Sequence, residues 1–306
     1  MLSETFVLVP SYNHAPFIEE CLRSIISQTI HPIKLLVIDD GSKDGSPAII
    51  EKVLAECPFD TELIVRENRG LCRTLNEGFL LSTGKYFAYL GSDDYWLPTF
   101  LESRTAMLNE RESAVLAYGN ASLVEDDGQI YDSTAEHNDK WAQYLDGDPR
   151  VMLLRGVAPI SSTVFYRRAA LNGLLWNEHS RLEDYEMYLN LMTLGDFAFD
   201  PRVLSAWRRH GYNTSGDRSL MLDEVLSAQL RNVESLGLNA SELERIQTQI
   251  TFQYARIELQ HGNKGAALQL AGKSWRGASF AQLGKFAVRM IVPNFIVNRR
   301  RQMRAT

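Results

Sequence analysis

Three pairs of neighbouring carboxylates are placed where they could do chemistry: Asp39-Asp40, Asp93-Asp94 and Glu183-Asp184. The first pair closes an apolar stretch at residues 34–38. The second closes Tyr86-Phe87-Ala88-Tyr89-Leu90, after Gly91 and Ser92. Adjacent carboxylates repel one another, and a divalent cation carrying phosphates offsets that cost. The bland alternative for Ser92-Asp93-Asp94 is a solvated turn capping the helical pattern after Pro98. A third polar cluster, Pro10-Ser11-Tyr12-Asn13, ends the apolar run at residues 6–9. In a parallel sheet such strand ends share one edge, where open α/β sheets bind ligands. Three clusters in succession are much harder to explain as turns than one.

The elements that must position these groups alternate. Strands are expected at residues 6–9, 34–38, 61–65 and 86–90, with helices at 15–28, 47–56 and 71–81. Pro47 suits the first turn of its helix. This β-α-β-α-β-α-β order implies a parallel sheet covered on both faces. A helix at 97–110 and a strand at 114–118 follow. Asp126-Asp127-Gly128 then fits a hairpin turn between 122–124 and 129–131. The polar stretch 133–148 is expected to be a mobile surface loop. Late strands are expected at 197–199 and 203–207, and helices at 220–236, 240–261 and 264–274. No G-x-G-x-x-G follows the first strand and no Walker A sequence occurs, so phosphate must be held another way. A metal on Asp93 or Asp94 would serve.

Composition bounds the setting. The chain has 306 residues, 45% hydrophobic and 23% charged, as in ordinary soluble proteins. A net charge of -6 argues against general nucleic-acid binding. No acidic residue occurs after Glu258, and the stretch from Lys273 onward holds eight basic ones. Cys21, Cys57 and Cys72 lack metal-ligand spacing and suit a reducing compartment. The chain enters its first strand without a signal-peptide pattern, and no apolar run approaches the ~18 residues of a spanning helix. A cytoplasmic protein is expected.

The clusters together resemble the motifs of the family 2 glycosyltransferases. The matching residues are Val9-Pro10-Ser11-Tyr12-Asn13, then Ile38 through Ser46, then Glu67-Asn68-Arg69-Gly70 with Asn76 and Gly78. Thr83-Gly84-Lys85-Tyr86 and Ser92-Asp93-Asp94 follow in order. The resemblance spans residues 5–215. It implies an α/β GT-A domain over residues 1–215, Rossmann-like, with a mostly parallel sheet and helices on both faces. A C-terminal helical extension would occupy residues 216–306. It also implies an enzyme: an inverting transferase moving sugar from a UDP- or dTDP-sugar to a hydroxyl of a glycan or lipid-linked glycan acceptor. Bacterial surface polysaccharide of the O-antigen type is the expected setting, with Mn²⁺ or Mg²⁺ as cofactor.

The same resemblance implies roles. Pro10, Ser11, Tyr12 and Asn13 would border the nucleotide with Asp40. Asp39 would accept from uracil or thymine N3–H. Arg69 would reach the base or a phosphate, unless it is a solvated loop residue. Ser92 and Asp93 would meet ribose and diphosphate, with Asp93 and Asp94 as metal ligands. Many relatives carry Asp where this chain has Gly91, so metal binding would be weaker or rest on Asp93. Ser161 and Ser162 could touch the acceptor or cap a strand with their hydroxyls. Asp184 matches the family's base, with Glu183 as rival, although acids also suit a helix N-terminus. Arg208 and His210, in Trp207-Arg208-Arg209-His210, would meet the leaving diphosphate, or His210 would ligate the metal.

Two other functions fit less well. A sugar-phosphate nucleotidyltransferase would carry a Gly-rich basic first loop, which Pro10-Ser11-Tyr12-Asn13 is not. A catalytically silent nucleotide-sugar-binding protein is favoured only by Gly91. The apolar and basic tail, residues 280–304, is too short and charged to span a bilayer. It is expected to dock on an anionic membrane surface, which would make the protein peripheral at the inner face of the cytoplasmic membrane. One rival packs the apolar residues on the catalytic domain and leaves the arginines in solvent, and a second is a homo-oligomer contact through the same helices.

Overall fold

The structure is a computed structural model that describes residues 3–136, 143–211 and 216–292. The chain divides into two compact units, one of residues 1–153 and 157–216, the other of residues 154–156 and 217–306.

The first unit is built on a nine-stranded sheet. In chain order its elements are β1 (Thr5–Ser11), α1 (Ile18–Ile26), β2 (Lys34–Asp39), α2 (Ser46–Leu54), β3 (Thr61–Val65), α3 (Leu71–Leu81), β4 (Tyr86–Tyr89) and β5 (Tyr95–Trp96). Then come α4 (Phe100–Glu110), β6 (Ala114–Val124), β7 (Ile130–Ser133), α5 (Arg150–Leu154), β8 (Phe165–Arg167), α6 (Glu183–Leu191) and β9 (Asp196–Arg208). The sheet order is β3-β2-β1-β4-β8-β6-β9-β5, with β7 paired to β6. The four strands β3, β2, β1 and β4 are mutually parallel. Strand β8 runs antiparallel to both β4 and β6. Strands β1 and β4 are buried throughout, as continuous apolar runs require when both faces are covered. Helix α1 buries Ile18, Cys21, Leu22 and Ile25, one stripe at helical spacing. A Cβ on Gly78 would stand 2.4 Å from the Leu8 side chain, so glycine lets α3 lie directly on β1.

Four local expectations are corrected. Helix α1 starts at Ile18, because the His14 carbonyl accepts from Phe17 and Ile18 in a turn. Residues 122–124 are not a separate strand but the end of β6, eleven residues long. The two late strands are one, β9, thirteen residues long. It crosses Pro201 through register shifts opposite Gly119 to Ala121. A buried Arg104–Asp200 ion pair at 2.7 Å sits at that irregularity. Finally, the described part of 133–148 is anchored rather than loose. Tyr144 is buried, the Tyr118 hydroxyl donates to the Leu145 carbonyl at 2.6 Å, and Arg111 pairs with Asp146. Residues 137–142 lie outside the described residues.

The second unit is helical: α7 (Arg218–Arg231), α8 (Ala240–Gln260), α9 (Lys264–Ser274) and α10 (Phe280–Ile291). Asn239 and Glu242 form the capping box that opens α8, and Ser279 and Gln282 form another on α10. Its small core joins Phe252, Ala255, Leu259, Ala267, Ala271 and Phe286. No described helix is long and apolar enough to cross a membrane. Of the tail expected to meet a membrane, residues 293–304 lie outside the described residues.

Candidate active site

The carboxyl edge of β1, β2 and β4 gathers most of the predicted residues. Ser11 and Asp39 are register partners across β1 and β2. Asp39 is wholly buried. Its Oδ1 accepts from the Ser42 amide at 2.8 Å, and its Oδ2 accepts from the hydroxyls of Ser42 at 2.7 Å and Ser11 at 3.2 Å. Asn13 adopts a left-handed φ of 53°. Its amide donates to Ser42 Oγ and its own Oδ1 accepts from the Lys43 amide, both at 2.8 Å. The turns after β1 and β2 are therefore sewn together. Pro10 is buried in β1, while Tyr12 and Asn13 are exposed at its end.

Asp40 turns away from that cluster. It pairs with Arg66 and accepts from the amides of Arg69 at 2.9 Å and Gly70 at 2.7 Å. Its carboxylate anchors the loop after β3. The Arg69 side chain is exposed, and what it gives this anchor is its backbone. Neither residue is brought to the carboxylate-histidine group described next.

That group comprises His14, Asp93 and His210, whose candidate ligand atoms all lie within 4.8 Å of one another. His210 Nε2 is 2.9 Å from Asp93 Oδ2, and His14 Nδ1 is 3.9 Å from Asp93 Oδ1. His14 Nδ1 also lies 2.8 Å from Ser92 Oγ. The two imidazoles meet edge to face at 5.4 Å, and Phe17 stacks on His210 at 5.3 Å. Burial by itself would raise the Asp93 carboxyl, but the His210 bond and the His14 charge outweigh it and hold it below the ordinary carboxylate range. Burial pushes His14 down, which favours the neutral ring that ligates metals. Two imidazoles and a carboxylate suit a divalent transition metal or Mn²⁺ better than Mg²⁺, which prefers oxygen ligands. A Cβ on Gly91 would stand 2.8 Å from Asp93 Oδ1, so glycine leaves room for this carboxylate.

Asp94 is not in that group. It is buried, and its Oδ1 accepts from the Arg208 amide at 2.8 Å. Burial, with Asp93 adding, pushes its carboxyl well above the ordinary range. The Arg208 guanidinium is also spoken for. It donates to the carbonyls of Asp93 at 3.0 Å and Glu125 at 2.9 Å, pairs with Glu20 and lies over Phe17 at 4.9 Å. It clamps the Asp93 backbone. Beside His210 opens a cavity of about 420 Å³, lined by Glu125, Asp126, Tyr131, Arg209 and Gly211.

Glu183 and Asp184 occupy the first turn of α6. Asp184 Oδ1 is buried without a hydrogen-bond partner among the described residues. Burial, then Glu183, pushes the Asp184 carboxyl well up. Burial raises Glu183 too, and the Asp93 charge adds to it, so Glu183 feels the carboxylate-histidine group. Ser162 is buried, and its carbonyl accepts from Trp96 Nε1 at 2.8 Å. The residue that sequence reasoning missed is His14. Its only signal was its place directly after Pro10-Ser11-Tyr12-Asn13.

The family model for "Glycosyl transferase family 2" matches residues 6–123, which hold β1, β2, β4 and Asp93. Over that segment the chain is similar to glycosyl transferase family 2. It is 29% identical over 218 residues to an uncharacterized glycosyltransferase of Haemophilus influenzae, covering 68% of this chain and 66% of that protein. It is 27% identical over 168 residues to another from a Nostoc species, covering 54% of this chain and 51% of the relative. The chain thus spans about half to two thirds of these relatives. Among solved structures it is similar to S. aureus TarS 1-349 in complex with UDP-GlcNAc. The TM-score is 0.64 at 15% identity, covering 92% of this chain and 83% of that one. It is also similar to the mannosyltransferase PcManGT of Pyrobaculum calidifontis, in complex with GDP-Man and Mn²⁺. Here the TM-score is 0.62 at 16% identity, with coverages of 94% and 79%. These likenesses establish the GT-A fold.

Proposed function

We propose that this glycosyltransferase is an inverting enzyme that moves a sugar from a UDP- or dTDP-sugar to a hydroxyl acceptor in bacterial surface glycan assembly. The observation that carries this reading is a buried, partnerless Asp184 oxygen beside Glu183, whose carboxyl feels the charge of Asp93 in the His14–Asp93–His210 group. Asp184 takes the proton of the acceptor hydroxyl as that oxygen attacks the anomeric carbon from the face opposite the leaving group. The bond from that carbon to the nucleoside diphosphate breaks, and the configuration inverts. His14, Asp93 and His210 would hold Mn²⁺, which supplies Lewis-acid stabilisation of a diphosphate when bound. Glu183 adds negative charge beside Asp184 and keeps its carboxyl basic.

Asp39 selects a pyrimidine in this reading, with the base N3–H exchanging for one of the Ser42 donors that the carboxylate now holds. Pro10, Ser11, Tyr12 and Asn13 frame the base and Ser92 meets the ribose. Gly91, the one feature in favour of a silent binding protein, lies against the Asp93 carboxylate and leaves it space.

The second unit belongs to the same reading, as the part that meets an anionic membrane bearing a lipid-linked acceptor. Helix α10 packs Leu283, Phe286 and Met290 inward, yet leaves Phe280 95%, Val288 64% and Ile291 82% exposed on another stripe. Lys285 and Arg289 flank that stripe. A homo-oligomer through this helix is the competing occupant.

A screen of UDP-, dTDP- and GDP-sugars by thermal shift, with and without Mn²⁺, tests the donor assignment. The preferred donor raises Tm by mass action. Uridine or thymidine sugars are expected to raise it most, and only with Mn²⁺. A GDP-sugar that stabilises equally well overturns the role given to Asp39.

A further inference from the structure

We propose that the helical second unit carries a phosphate-binding groove of its own, independent of the nucleotide-sugar site. A cavity of about 200 Å³ runs along α8. Ile246 and Ile250 lie on its floor, and both are buried. Its polar lining is Arg155, Gln249, Gln253, Arg256 and Gln282, all N–H donors, and no carboxylate borders it.

Two glycines build the walls. Gly156 takes a left-handed φ of 74°, which turns the chain after Arg155, and a Cβ there would stand in ordinary contact with Ile250 and Val225 at 3.5 Å. On the other side a Cβ on Gly277 would stand 2.7–2.8 Å from the backbone of Thr248 and Gln249. Only glycine lets the segment before α10 approach so closely, and this brings Gln282 to the groove. Gln282 Oε1 is held by the Ser279 amide at 2.8 Å in the capping box. Its amide nitrogen remains as the donor.

The charge is uncompensated. The residues three and four positions from Arg256 along α8 are Phe252, Gln253, Leu259 and Gln260, so no acid pairs with it on the helix. Neither Arg155 nor Arg256 forms an ion pair among the described residues, whereas Arg218 pairs with Glu258. Two planar guanidiniums with amide donors between them match the oxygens of a phosphate ester, which accept bidentate bonds. A solvated basic surface does not require a glycine that brings the segment before α10 onto this helix face. The ligand class is a phosphate or diphosphate ester, borne either by a soluble molecule or by a lipid headgroup.

The test is calorimetric titration of the full chain with inorganic pyrophosphate, without divalent metal. Wild type and Asp93→Ala are expected to bind alike, because the groove lies outside the metal site. Arg155→Gln/Arg256→Gln is expected to bind roughly ten-fold more weakly or worse. Arg155→Lys/Arg256→Lys keeps both charges without the planar forks, so a smaller loss is expected, and it serves if the glutamine variant folds poorly. Glycerol phosphate and vesicles containing phosphatidic acid then separate the sources. Arginine-dependent binding of vesicles assigns a lipid headgroup, and arginine-dependent binding of glycerol phosphate alone assigns a soluble ester. Pyrophosphate binding that survives loss of both arginines, or that disappears with Asp93→Ala, overturns the proposal and leaves the catalytic reading untouched.

Discussion

His210 Nε2 lies 2.9 Å from the carboxylate of Asp93, although 117 positions separate the two residues. The contact is enforced from below. Arg208, two residues before His210, gives its amide to Asp94 and its guanidinium to the Asp93 carbonyl. The end of β9 is thereby fixed to the loop after β4, and His14 closes the group from the end of β1.

This geometry predicts a metal site with unequal contributions. Asp93→Ala and His210→Ala should each weaken Mn²⁺ binding, measured by calorimetry or electron paramagnetic resonance, by roughly 10-fold or more, the scale of one lost ligand contact. His14→Ala should weaken it less, because its Nδ1 stands farther from Asp93. Asp94→Asn should leave Mn²⁺ affinity near wild type, since Asp94 faces the Arg208 amide. A loss at Asp94 equal to that at Asp93 would restore Asp94 as a ligand.

The parallel half of the fold was legible because its strands are buried on both faces and so are continuous apolar runs. The site was legible where a polar group directly ended such a run, as at Asp39 and Asp93. The rest depended on tertiary contacts. Nothing local tells that Asp40 turns to Arg66 while Asp39 turns to Ser42, or that Arg208 is consumed by carbonyls of Asp93 and Glu125. His14 becomes visible only when β1 and β9 are brought together. Strands β6 and β9 were read as fragments because Asn120 and Pro201 interrupt their apolar patterns at the register shifts.

The exposed stripe of α10 makes a separate prediction. Phe280→Ser/Val288→Ser/Ile291→Ser removes apolar surface from positions that contribute nothing to the small core of the second unit. Flotation with vesicles of rising anionic lipid content should fall relative to wild type, with Tm unchanged within about 2 °C, the response to under 1 kcal/mol in a domain of ordinary size. Equal flotation of both proteins would remove this helix from any membrane role.

Asp184 should make the enzyme less stable than it could be. Burial raises its folded-state pKa above the unfolded value, so its stabilising contribution is complete at pH below the unfolded carboxyl pKa and is lost as pH rises through the folded one. Asp184→Asn, which cannot ionise, should therefore raise Tm by a few degrees at pH 8 and by much less at pH 4. An equal Tm difference at both pH values would mean that the gain does not come from the charge.

In the proposed reaction Asp184 removes the acceptor proton, while other residues hold the donor nucleotide. The most direct measurement of that step is turnover of the preferred donor and acceptor by wild type and Asp184→Asn, with donor affinity measured in parallel. The account predicts a fall of ~10²–10⁴ in kcat with donor Kd nearly unchanged. In wild type the acid limb of kcat should lie above the ordinary carboxylate range, because the raised carboxyl must lose its proton before it can act. Turnover within a few-fold of wild type in Asp184→Asn would contradict the account and move the base to Glu183 or to another group.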